Sequence, residues 1–319
     1  MNLRFGPAGL GPVKTALNTL EKYNKIGIKA CEIAFTYNVY IKEKDAETIG
    51  KKAEELDIEL SIHAPYFVNL NSSEEIKIEA TKKRILDCCK IGEILGAKVV
   101  VFHPGYYGNI ENSDNYSTNI VRDANNSSKN VRLSLDSQGV KRENLNVLDY
   151  SQNSLMDNSE KRIPINRIIH NKEQAYSNIK NGILNIMQVI KKNQWKIKIA
   201  PETMGKVNVF GSIEEISNLV KNTGCSFCID FAHILARDKK VDYAQVERLF
   251  PSKEWHIHFS GIVYEDKGEK HHKKTETEEW RELLKNLPKD RKVRIINESP
   301  EMLEDSLEGM RIAKGFGLI

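Results

Sequence analysis

The chain has 319 residues, of which 40% are hydrophobic and 29% charged, with a formal net charge of +4. That length accommodates one (β/α)8 barrel of about 250 residues plus an insertion, and so small a net charge is a weak argument for nucleic-acid binding by the whole-chain field. The opening MNLRFGPAGL has neither the basic nor the apolar region of a signal peptide, and no apolar run nears the roughly 18 residues of a membrane span, so a cytoplasmic protein without a membrane partner is expected. Five cysteines, an odd count, argue for reduced thiols; the Cys225-x-x-Cys228 pair has no second pair to complete a metal ribbon and reads as buried small side chains.

Short apolar runs alternate with amphipathic stretches along the chain. Leu3–Phe5 reads as the first strand, followed by a helical pattern at Lys14–Tyr23. Ala30–Phe35, Ile58–His63 and Lys98–His103 read as strands separated by helical patterns at Ala46–Glu55 and Glu75–Leu95. Residues 109–169 break the pattern: they hold a dozen asparagines and many serines with no sustained periodicity, which predicts a disordered or loosely packed insertion. One short alternation there, Val131-Arg-Leu133-Ser-Leu135, has the form of a strand before the turn at Ser137-Gln-Gly139. Beyond it come a helix at Glu173–Lys192, a strand at Lys196–Ala200, a helix at Ile213–Asn222, strands at Ser226–Asp230, Trp255–Phe259 and Val293–Asn297, and a final helix at Ser306–Ala313. Eight strands with intervening helices predict a single TIM-barrel domain over 1–319, with the polar insertion leaving after the fourth strand. The insertion emerges beside His103, on the face where barrels keep their chemistry.

Several predicted strands end in metal-ligand residue types. His63 closes the third and His103 the fourth; Glu202 follows the fifth, Asp230 closes the sixth, His258 lies in the seventh and Glu298 follows the eighth. His233 follows Asp230 at a three-residue spacing, and Glu269 with His271 shares one side of an extended segment. His256 reads as a structural residue facing away from His258, and His272 as a solvent or supporting residue. Nine such side chains exceed what one ion takes; at about four to five ligands per zinc, with some shared, they fit two or three ions. The mixture of imidazole and carboxylate favours zinc, with manganese or iron as alternatives. Metals about 3.5–4 Å apart can polarise a phosphate, generate hydroxide and stabilise a leaving oxyanion.

At these residues the chain resembles the endonuclease IV family of apurinic/apyrimidinic DNA-repair endonucleases, trinuclear-zinc TIM barrels; His-Phe-Ser-Gly261 and Pro-Glu-Thr-Met-Gly205 are similar to its archaeal-type members. The resemblance implies one zinc on His63, His103 and a bridging Glu202, a second on Glu202, Asp230, His258 and Glu298, and a third on His233, Glu269 and His271. It also implies DNA contacts by Tyr66, Phe67 and Asn69 in one loop, and by Asn38 and Tyr40 in another, with Tyr66 and Phe67 filling the gap at the lesion. The implied reaction is hydrolysis of the phosphodiester 5′ to an abasic site in double-stranded DNA by a monomer, with Glu202 and Glu298 as the catalytic carboxylates. The rival reading is a metal-dependent sugar or sugar-phosphate isomerase of the xylose isomerase-like barrel class. Such sites use mostly carboxylate ligands on one or two ions, and the five histidines of this set speak against it.

Overall fold

Eight parallel strands form the frame, and period-two alternation decides which side chains enter it. The computed structural model describes residues 2–108 and 165–319. In chain order its elements are β1 (Asn2–Pro7), a 3-10 turn (Val13–Thr15), α1 (Ala16–Lys25), β2 (Ala30–Ala34), α2 (Glu43–Glu55), β3 (Glu59–His63), α3 (Glu75–Leu95) and β4 (Val99–Phe102). Next come β5 (Gly105–Tyr106), α4 (Ile165–Lys192), β6 (Lys198–Pro201), β7 (Val209–Phe210), α5 (Ile213–Thr223), β8 (Ile229–Asp230), α6 (Phe231–Asp238) and α7 (Tyr243–Leu249). The chain finishes with β9 (Glu254–Phe259), β10 (Gly261–Glu265), β11 (Gly268–Lys273), α8 (Thr277–Asn286), β12 (Lys292–Asn297) and α9 (Met302–Gly315).

The ladders run β1-β12-β9-β8 and β2-β3-β4-β6, all parallel. A parallel bridge between Glu202 and Cys228, with Cys228 N donating to Pro201 O at 3.1 Å, joins β6 to β8. At the other seam Lys29 N donates to Phe5 O at 3.1 Å. That approach needs a glycine: a Cβ on Gly6 would lie 1.7 Å from Ala30 O. The ring therefore closes, and the predicted (β/α)8 barrel is the observed fold. All eight predicted strands appear, whereas the helix predicted from Glu173 already begins at Ile165. The Val131–Leu135 strand and the order of the insertion lie in residues 109–164, outside the described residues. No helix among the described residues is long and apolar enough to cross a membrane.

Helix boundaries follow local chemistry. Ser212 and Glu215 form a reciprocal capping box at the start of α5, and Gly224 ends it in the left-handed conformation. Outward-facing strand residues such as Ile33, Leu60, Ile62, Ile257 and Ile295 join the large core beneath the helices. Inside the barrel, Val99, Val101, Ala200 and Cys228 form a separate small apolar cluster. The opposite interior wall is polar: Glu32, Ser61, His256 and Arg294 are all buried there. Arg294 donates from Nε to Glu59 at 3.0 Å, and Arg4 and Lys292 also pair with Glu59 at the lower end.

Burial works to raise the Glu59 pKa, but Arg294 and Lys292 outweigh it and hold the carboxyl at about 2. A depressed pKa gives stability that is present above the unfolded value and lost as pH falls through the folded one. Glu59→Gln is therefore expected to lower unfolding free energy by about 2–3 kcal/mol near neutral pH. In urea denaturation across a pH series the gap between the two proteins should shrink below about pH 4 and vanish near pH 2. A gap independent of pH would contradict this account.

Candidate metal centre

The interior phase of each strand carries the donors to one mouth. His63 ends β3, and Asp230 ends β8; His258 sits in β9; His103, Glu202 and Glu298 follow β4, β6 and β12 directly. Glu202, wholly buried, lies at the centre. Its Oε2 is 3.3 Å from His63 Nε2 and 3.2 Å from His103 Nε2, while Oε1 is 3.1 Å from His258 Nδ1 and 3.4 Å from His233 Nδ1. His258 Nδ1 also lies 3.4 Å from Glu298 Oε2.

Among the described residues four donor groups have their ligand atoms within 4.8 Å of one another, and three of them adjoin through shared carboxylates: His63, His103 and Glu202; Glu202, Asp230, His258 and Glu298; and Asp230, His233 and His272; the fourth is Cys228, His256 and His258. The first two groups are the sets implied by the resemblance. The third differs from its expected form. His233 Nε2 does reach Glu269 Oε2 at 3.3 Å, but His271 is exposed and His272 takes its place in the group. The reason is a bulge. In the β10–β11 hairpin Val263 faces His271 and Tyr264 faces Glu269, so Lys270 is an extra residue in the ladder. One inserted residue inverts the alternation, and Glu269 then shares its side with His272 rather than His271.

The hairpin is held over the mouth by backbone bonds: Glu269 N donates to Gly205 O at 3.2 Å and Val207 N to Lys267 O at 3.3 Å. Gly205 makes room for both ligands, since a Cβ there would meet Glu269 Cβ at 2.7 Å and His233 Cδ2 at 3.0 Å. Asp230 has two tasks. Its Oδ1 accepts from His233 N at 2.8 Å and caps α6, while Oδ2 is buried without a hydrogen-bond partner. Among the described residues its one ion-pair contact is His233 Nδ1 at 3.4 Å, and a buried carboxylate oxygen without a hydrogen bond is costly unless a cation meets it. The donor set, with that oxygen aimed into it, fits zinc chemistry.

Supporting acceptors fix the rings. His63 Nδ1 donates to Ala64 O at 2.7 Å and His233 Nδ1 to Thr203 O at 3.0 Å, leaving each Nε2 lone pair for the mouth. His272 Nδ1 pairs with Ser260 Oγ at 2.6 Å. His256 does not turn away from His258: two residues apart on β9, they share the interior face, with ring centroids 5.3 Å apart. Glu32 on β2, which sequence reasoning passed over, lies between them, 3.0 Å from His256 Nε2 and 2.9 Å from His258 Nε2. A lone acid inside the apolar run Ala30-Cys-Glu-Ile-Ala34 was its available signal.

A cleft of about 310 Å³ opens above, lined by His63, His103, His233, Glu269, His272 and Glu298 among others. Tyr66 stands half-exposed at its rim, its ring centroid 5.4 Å from that of His63 and 5.6 Å from that of His103. Phe67 is also half-exposed, with the Arg84 guanidinium 4.8 Å from its ring centre. Asn38 is exposed, and Tyr40 packs edge-on against Phe35 with its outer edge in solvent. Asn69 is committed to the loop, its Oδ1 accepting from Asn71 N at 2.9 Å and Tyr106 N at 3.3 Å. All five cysteines are free and buried, as expected of small packing side chains.

Residues 20–136 match the family described as xylose isomerase-like TIM barrel. The structure superposes on SacUVDE with a TM-score of 0.64 at 14% identity over 100% of both chains. The fold is a TIM barrel. Other solved barrels of comparable likeness are D-psicose 3-epimerase, with a TM-score of 0.60 at 14% identity over 99% of both chains, and endonuclease IV from Thermus thermophilus, with 0.59 at 17% identity over 99% of this chain and 98% of that one. By sequence the chain is 29% identical to the uncharacterized protein MJ0133 of Methanocaldococcus jannaschii across 96% of this chain and 94% of that protein. Neighbours on this scaffold thus include both an endonuclease and an epimerase.

Without metal, burial acts to lower the pKa values of His63, His233 and His258, but the surrounding acidic groups (carboxylates for the first two, Cys228 and then carboxylates for His258) outweigh it and raise all three, His233 and His258 strongly. A ligating imidazole must first lose the proton it carries on the ligating nitrogen. Zinc uptake near neutral pH is therefore expected to release more than one proton per chain, and affinity to climb with pH through the neutral range. Calorimetry in two buffers of different ionisation enthalpy checks this; uptake without proton release would contradict it.

Proposed function

We propose that the chain is a zinc-dependent phosphodiesterase of DNA repair, cutting 5′ to abasic sites in double-stranded DNA with two to three ions per chain, as a cytoplasmic monomer. The supporting observation is the donor set: three adjoining groups share Glu202 and Asp230 among them. One ion does not need that many ligands, whereas a bridged cluster suits in-line displacement at phosphorus, where charge develops on attacking and leaving oxygens together. Zinc bound there supplies Lewis-acid polarisation of a phosphate and lowers the pKa of water. In this reading Glu202 would bridge the ions from the centre, and Glu298, only partly buried at the mouth, would help hold the attacking nucleophile.

A phosphate can reach this depth only if the lesion nucleotide leaves the duplex. Tyr66 and Phe67, half-exposed on the loop after β3, present rings to fill the space it vacates, and an abasic nucleotide loses little stacking on extrusion. The reading as a sugar epimerase or isomerase has one observation in its favour: Glu202, Asp230, His258 and Glu298 alone can hold a single ion. It assigns no task to the His63–His103 pair or to His272.

The test is a duplex bearing one tetrahydrofuran abasic analogue, incubated beside a ketohexose assay with the same zinc-loaded protein. Cleavage 5′ to the analogue, reduced more than about 100-fold in Glu202→Gln, is the expected result. Tyr66→Ala and Phe67→Ala should weaken binding of that duplex roughly 5- to 150-fold each while leaving zinc content unchanged. An intact duplex together with epimerised sugar would replace this reading by the second one.

A further inference from the structure

The polar wall of the barrel forms a directed chain of contacts that ends on a candidate ligand. Glu59 holds the Arg294 guanidinium, and Arg294 Nη1 reaches His256 Nδ1 at 3.2 Å. Because a guanidinium only donates, His256 Nδ1 must be the acceptor, and its proton resides on Nε2. That Nε2–H points to Glu32 Oε2 at 3.0 Å, which also accepts from Ser61 Oγ at 2.8 Å. With Oε2 occupied twice, Oε1 is left for His258 Nε2 at 2.9 Å. The two atoms face one another as an ion-pair contact, and neither has a hydrogen-bond partner among the described residues. The opposite nitrogen of the ring, Nδ1, faces Glu202 and Glu298.

We propose that Glu32 is a positioning residue for the metal centre: it binds the Nε2–H of His258 and so presents the Nδ1 lone pair to the Glu202–Asp230–Glu298 group. Among the histidines of the mouth this one ligates through Nδ1, whereas His63 and His103 offer Nε2 to the centre. The inference rests on the reading that the mouth holds metal but not on which reaction it performs. A carboxylate behind a ligating imidazole raises ligand basicity and fixes its rotation, and loss of such a partner typically lowers metal affinity about 10- to 100-fold. Cys228, buried beside His256 and His258, is the competing donor that the proposal excludes.

Two measurements test this. In the wild-type protein loaded with NMR-active cadmium and isotope-labelled histidine, cadmium should couple to His258 through Nδ1 and to His63 and His103 through Nε2. Coupling of His258 through Nε2 would overturn the proposal, as would a thiolate charge-transfer band placing an ion on Cys228. In a cobalt titration, Glu32→Gln should lose affinity for one ion by about 10- to 100-fold, with an altered ligand-field spectrum, while the remaining uptake is unchanged. Wild-type titration curves from a folded Glu32→Gln protein would also overturn it. If the wild type takes up neither cadmium nor cobalt, the metal reading itself fails, an outcome distinct from the others.

Discussion

Burying carboxylates beside one another is the constraint on which this structure turns. Glu32, Glu202 and Asp230 are wholly inaccessible, and Glu298 stands next to them at the mouth. Taken out of water, such charges repel one another and favour protonation, and only nearby cations reverse that preference. Burial pushes the Asp230 carboxyl up, with Glu202 adding to the effect, whereas the histidines around Glu202 and Glu32 overcome burial and hold both well below the usual range. Imidazole suits the role because it can carry a proton or offer a lone pair. The same side chains that neutralise the acids in the metal-free protein become ligands when a metal takes the protons' place.

The constraint reaches down into the fold. A barrel interior is ordinarily filled by branched apolar layers, and Val99, Val101, Ala200 and Cys228 meet that expectation on one wall only. The other wall gives its volume to Glu32, Ser61, His256 and Arg294, tied at its base to Glu59. Stability and site chemistry therefore share residues. Burial pushes the His256 pKa down, with Arg294 and His258 adding to the fall against Glu32, to about 4, so the positive charge beside Glu32 is carried by His258. That division lets one ring act as a neutral relay of hydrogen-bond direction and leaves the other to the centre.

The barrel was legible because fully buried parallel strands leave a plain trace, short apolar runs at regular intervals. Ligand types at consecutive strand ends were legible for the same reason, since a closed barrel brings those ends together. What sequence alone obscured was local. The strands of the β10–β11 hairpin are polar and lie over the mouth, so they show no buried run, and nothing in Glu269-Lys-His-His272 announces that Lys270 is an extra residue in the ladder. His271 was therefore favoured over His272. Glu32 was hidden by its surroundings, a single acid in a strand otherwise read as packing, and its meaning appears only when His256 and His258 arrive from β9. The short helices α6 and α7 span too few turns for a periodic signal, and α6 depends on Asp230 as its cap.

The central claim is that the mouth is one shared metal centre built around Glu202, and metal stoichiometry tests it most directly. Purified protein reconstituted with zinc, freed of loose metal and assayed by elemental analysis, should hold two to three ions per chain. Glu202→Gln, which leaves the fold in place but removes the bridging charge, should lose more than one of them at once. A single ion in the wild type, or retention of every other ion when Glu202 is neutralised, would contradict a shared centre.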